Sequence, residues 1–188
     1  MPGVIGKSAE VALLAVFLWL SFGAQADQND ERLDGLFEAL RDAGAEETAS
    51  DIEQEIWLIW LESGRSDVDT LMASGIQAMQ RRALGQALSL FDRVVEMAPE
   101  YAEGWNKRAT VHYLRDDLAE SVYDIRRTLV LEPRHFGALS GMGLILAERK
   151  DKQGAIRAFE EVLRINPNSP SARASIEELR AKLRDEAL

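Results

Sequence analysis

Apolar positions along this chain recur with two periods at once, a short one that predicts helices and a long one that predicts their stacking. Residues 68–101, 102–135 and 136–169 align without a gap, and Leu71, Trp105 and Leu139 share a column. The small residues Gly75, Ala109 and Gly143 follow, then Ala87, Ser121 and Ala155. Phe91, Ile125 and Phe159 form a large apolar column, and Pro99, Pro133 and Pro167 close the copies at a constant interval of 34 residues. A small residue on one helix facing Ala or Ser on the next lets two backbones approach, while the Phe/Ile column fills the seam. Proline cannot continue the second helix and pushes the residue before it out of helical geometry. One such pair cannot bury its apolar face alone, so the period predicts stacked pairs rather than a closed core.

The flanks show the short period only. Leu33, Leu36, Phe37 and Leu40 make one stripe at i, i+3, i+4 and i+7. Asp42–Ala45 reads as a turn, and a second helix bears Ile52, Ile56, Ile59 and Trp60 on one face and ends near Gly64. Residues 27–66 are therefore a helix pair, either an N-terminal cap over the first repeat or a degenerate repeat. Trp57 and Trp60 stand 34 residues before Phe91 and Val94, but Glu53 falls in the small-residue column. Downstream, Ser169 suits an N-cap with Pro170 at the first helical position. Ala172, Ile176, Leu179 and Leu183 then give a narrow stripe on a charged helix, residues 170–188. Such a helix suits a cap that meets water; the alternative is a partner-binding or self-association helix.

The period, with its order of large apolar, small, small, aromatic and proline, resembles the tetratricopeptide repeat (TPR). Leu139, Met142, Gly143, Leu146, Ala155, Phe159 and Pro167 carry that pattern in the third copy. The second departs from it at Arg108 and His112, the first at Ser74 and Ala78. The resemblance implies an all-α helical solenoid of three repeats with helical caps at both ends. It also implies that the first helix of each repeat lines a concave groove for a peptide segment or helix of another protein. Carried over column by column, the groove positions are Met72, Ile76 and Met79 in the first copy. The second supplies Asn106, Lys107, Thr110 and Tyr113, and the third Ser140, Leu144 and Ala147. Met72, Ile76 and Met79 read equally well as core beneath the N-terminal pair. Some members of the family hold a C-terminal carboxylate in a clamp of Lys, Asn and Arg. The matching places here are Met72, Ile76, Lys107, Gly137 and Gly141, of which only Lys107 suits that role.

Charge and composition narrow the function further. A net charge of −10 argues against a nucleic-acid partner, which needs a clustered basic surface. Residues 1–26 read as a cleaved secretory signal peptide: Lys7, the apolar run Val11–Leu20, then Ala24-Gln25-Ala26 as the cleavage signal. An uncleaved anchor would need about 20 apolar residues, so cleavage after Ala26 is expected. The protein is then exported, to the periplasm or beyond it, with no stable membrane insertion afterwards. With no cysteine there are no disulfides, thiol chemistry or thiolate metal sites. The two histidines are far apart in the repeat pattern: His112 reads as packed and hydrogen-bonded, His135 as a solvated turn residue. Asp116-Asp117 reads as an inter-helix turn. We find no catalytic, cofactor or metal motif. The sequence thus points to a non-enzymatic adaptor of the cell envelope; its alternative is a homodimeric structural module.

Overall fold

A computed structural model describes residues 27–186; the expected signal peptide, residues 1–26, lies outside them. Among the described residues there are nine α-helices and no strand. The three repeats are α3 (Ser66–Gln80) with α4 (Leu84–Met97), α5 (Ala102–Leu114) with α6 (Leu118–Leu131), and α7 (Phe136–Glu148) with α8 (Lys152–Ile165). Each helix packs chiefly on its chain neighbours, and α9 (Pro170–Asp185) closes the stack against α8.

The small column works by direct contact. A Cβ added at Gly75 would lie 2.6 Å from Cε1 of Phe91, and one at Gly143 would lie 2.7 Å from Cζ of Phe159. Each ring rests on bare backbone. In the second repeat the smaller Ile125 faces Ala109 instead, so the pair shares its volume differently. Ala87, Ser121 and Ala155 are wholly buried behind them, and Ser121 Oγ donates to the Ala109 carbonyl at 2.9 Å.

The turns repeat as faithfully as the seams. Arg82, Asp116 and Lys150, again 34 residues apart, adopt positive φ of 59°, 67° and 65°. The next amide reaches back five residues in each case: Ala83 to Ala78, Asp117 to His112 and Asp151 to Leu146, all at 2.9 Å. This is the Schellman closure of a helix, built here without glycine. The residues before the three prolines, Ala98, Glu132 and Asn166, leave helical geometry with φ between −138° and −124°. Ser169 caps α9 by accepting from the Ala172 amide, with Pro170 at its start.

The N-terminal pair, α1 (Arg32–Asp42) and α2 (Glu46–Trp60), does not cover the first repeat. It lies across the proline turns of the stack, and α1 packs on α8. Leu33, Phe37, Leu40, Ile56 and Trp60 share a core with Phe136, Val162, Ile165 and the apolar face of α9. Polar contacts fix the crossing at each turn. Gln28 bonds Glu100 O and the Ala102 amide, and Tyr101 Oη donates to Trp60 O at 2.8 Å. Arg134 Nη1 donates to Asp34 Oδ1 at 2.6 Å while its guanidinium sits 4.3 Å from the Phe37 ring. Asn166 Nδ2 donates to Glu53 Oε2 at 2.9 Å, and Asn168 to Ala43 O. The amphipathic stripe had specified a buried face without specifying its neighbour.

Candidate functional site

The first helices of the second and third repeats, α5 and α7, run side by side. In the first repeat the two columns nearest their meeting line hold Asp69 and Ala73, and in the second Glu103 and Lys107. In the third they hold Gly137 and Gly141, one turn apart. With no side chains there, α7 leaves a slot of about 200 Å³ against α5. Asn106, Thr110 and Tyr113 form one wall and Ser140 and Leu144 the other, over a floor of Ala109, Ser121, Ile125 and Ile145. A Cβ at Gly141 would meet Ile125 Cδ1 at 3.3 Å, and one at Gly137 would strike Trp57 at 2.6 Å. Trp57 thus fills the space over Gly137, at that end of α7.

Beneath that end lies a buried polar network. Glu103 pairs with Lys107 Nζ at 2.6 Å, accepts from Asn106 Nδ2 at 2.8 Å and meets His135 Nε2 at 2.9 Å. His135 Nδ1 accepts from the Ala138 amide at 3.1 Å, which leaves Nε2 to carry the hydrogen given to Glu103. The His135 ring stacks on Trp60 at 4.1 Å, and Lys107 Nζ lies 5.0 Å from the Trp57 ring centroid. Burial opposes ionisation of Glu103, yet the Lys107 charge and the His135 hydrogen bond hold its carboxyl below the usual range.

The structure gathers five of the nine expected groove residues, Asn106, Thr110, Tyr113, Ser140 and Leu144, around one slot. It separates the other four. Met72 is 1% exposed and belongs to the core of the first repeat. Ile76 and Met79 are half-buried against the same core, not under the N-terminal pair. Lys107 faces inward to Glu103 and Trp57. Ala147, also carried over as a groove position, packs on the core formed by α8 and α9. His135 is fully buried rather than solvated, because the N-terminal pair folds over its turn. His112 is packed but not hydrogen-bonded as expected: its buried Nδ1 has no hydrogen-bond partner among the described residues, lying 3.7 Å from Asp117, and Nε2 lies 3.9 Å from Asp124. Arg108, the departure in the second repeat, grips buried Asp124 through Nε and Nη2 at 2.7 and 2.8 Å and reaches Asp92 at 3.0 Å.

Sequence reasoning missed Ala109, Ser121, Ile125, Gly137, Gly141 and Ile145 as slot residues. The glycine pair at i, i+4 on α7 was the available signal. A wider cleft of about 490 Å³ between α2 and the start of α9 has a polar rim that includes Glu46, Glu53 and Asn166. Among the described residues no group of three His, Cys, Asp or Glu side chains is placed to hold a metal ion. No described helix is long and apolar enough to cross a membrane.

Two tetratricopeptide-repeat family models match the chain, one over residues 72–130 and one over residues 136–169. A TPR repeat-containing protein of Rhizobium etli is 37% identical over 153 residues, which span 81% of this chain and 75% of that protein. A heat-shock protein cognate co-chaperone of Aspergillus fumigatus is 25% identical over 103 residues, 55% of this chain and 30% of that protein. Among solved structures, the Sgt2 TPR domain of Aspergillus fumigatus superposes with a TM-score of 0.61 at 22% identity, covering 65% of this chain and 83% of that one. The first TPR of Spaghetti (RPAP3), bound to an HSP90 peptide, gives 0.59 at 17% identity, covering 62% and 92%.

Proposed function

The chain belongs to the tetratricopeptide-repeat family, and from that premise we propose that it is a non-enzymatic adaptor holding a segment of a partner protein in the slot between α5 and α7. The slot itself carries this reading. It is an opening with an apolar floor, on the helices that line the groove in this family, and it gathers residues from both repeats. Leu144, 46% exposed, and Tyr113 offer apolar surface to a partner, and Tyr113 adds a polar tip. The peptide seen in the Spaghetti (RPAP3) structure supports protein binding as the mode. The polar network is inward-facing and structural, so it supplies no acid–base pair to the slot. We further propose that the adaptor works in the cell envelope, on the strength of the signal-peptide pattern in residues 1–26.

The test is capture from the envelope fraction with the mature chain as bait, read by mass spectrometry. A partner retained by the wild type and lost with Tyr113→Ala and with Leu144→Ala, both keeping wild-type helicity and melting, supports the adaptor. Equal retention by all three baits removes the slot from the account. Asn106→Ala is unsuitable here, because it also strips a hydrogen bond from buried Glu103.

A further inference from the structure

The slot's hydrogen-bonding polarity defines what enters it, and this inference rests on the adaptor reading above. Thr110 Oγ1 donates to the Asn106 carbonyl at 3.0 Å, and Ser140 Oγ to the Phe136 carbonyl at 2.8 Å. Each hydroxyl thus directs its hydrogen one turn back along its own helix and turns lone pairs outward. Asn106 gives one Nδ2 hydrogen to Glu103, which leaves its second N–H and its acceptor Oδ1 uncommitted. The rim is therefore rich in acceptors, with the Tyr113 hydroxyl able to serve either way. No charged side chain lines the slot. The nearest cation, Lys107, is held by Glu103 and Trp57. The chain's negative excess lies elsewhere too, since residues 27–64 hold twelve Asp and Glu against two Arg.

We propose that the slot accepts an apolar side chain from the interior of an uncharged peptide stretch, with the peptide's N–H groups donating to Thr110, Ser140 and Asn106, and that it excludes a C-terminal carboxylate. A carboxylate there would bring only acceptors to a rim whose neutral donors are the second Asn106 N–H and the Tyr113 hydroxyl, and would be desolvated without a cation. A backbone amide brings the missing donor, and the glycine face of α7 gives an aliphatic side chain room to reach Ile125 and Ile145. A Leu-sized group suits the volume.

The probes are short peptides of Ala and Ser with one Leu, titrated into the isotope-labelled mature chain and followed by amide chemical shifts of residues 137–145. An N-acetylated, C-amidated peptide with central Leu is expected to shift these signals saturably. The same peptide with Gly for Leu should fail. A peptide ending in Leu with a free carboxylate should bind at least about tenfold more weakly. Thr110→Val and Ser140→Ala should each weaken the capped peptide by about two- to tenfold, with unchanged circular dichroism. Equal or tighter binding of the free acid overturns the proposal, as does a silent response to every peptide. If the free acid wins while Tyr113→Ala still loses the captured partner, the adaptor stands and only this chemistry falls.

Discussion

Substituting Gly143 by Ala tests whether the repeat seams are set by volume shared between two columns. The new methyl would lie 2.7, 2.8 and 2.9 Å from three atoms of the Phe159 ring, which is 3% exposed and cannot swing into solvent. Overpacking of this kind costs about 1–3 kcal/mol. Alanine in a helix interior returns about 0.8–1.0 kcal/mol relative to glycine. A net loss of about 0–2 kcal/mol is therefore expected for Gly143→Ala. Phe159→Ile alone should cost about 1–2 kcal/mol, less than full truncation, by leaving a gap over Gly143. Together the two changes recreate Ala109 opposite Ile125, an arrangement the second repeat already uses. The double variant should be more stable than the sum of the single effects by about 1–2 kcal/mol. Urea unfolding followed by far-ultraviolet circular dichroism measures all four corners of the cycle. Additivity within about 0.5 kcal/mol would refute the shared-volume argument, and so would a Gly143→Ala protein more stable than its parent.

Other consequences follow from the polar contacts and turns. Arg108→Ala strands the carboxylate of Asp124, which is 1% exposed, and should cost about 2–4 kcal/mol by chemical denaturation; a loss under about 0.5 kcal/mol would show the pair to be dispensable. Lys150→Gly relieves a positive φ and should stabilise by about 0.5–1 kcal/mol, whereas destabilisation beyond about 1 kcal/mol would contradict the Schellman assignment. Glu103 has a native pKa below its unfolded value of 4.5, so its contribution is fully present above that value and is lost as pH falls through the native pKa. Glu103→Gln should accordingly be less stable at neutral pH and lose less on acidification; parallel stability–pH curves would remove Glu103 from the acid response.

Much of the fold was legible because every stacking neighbour imposes the same demand. Gly75, Ala109 and Gly143 must each admit a side chain from the next helix, so the requirement is written three times at one spacing. Nothing repeats for the N-terminal pair. Its stripe of Leu33, Phe37 and Leu40 records that a face is buried, but its neighbours on α8 and α9 lie more than a hundred residues away. His135 was misread for the same reason: its burial depends on Trp60, 75 positions earlier, and on Glu103. Lys107 looked available because its column faces the groove, although Glu103 one turn before it was a visible partner. Half of the slot could be read from family columns. The rest consists of floor residues that read as core, Ala109, Ser121, Ile125 and Ile145, and of absences, Gly137 and Gly141, whose effect depends on what stands opposite.

The central claim is that a partner segment lies between α5 and α7, and site-specific photocrosslinking in the producing cells addresses it most directly. A photoreactive residue at Leu144, at the slot, is compared with one at Val130, 71% exposed on α6 and absent from the slot lining. The account predicts a discrete crosslinked protein from position 144 that is absent from position 130. A product formed at 130 and not at 144 would place binding on another face and contradict it.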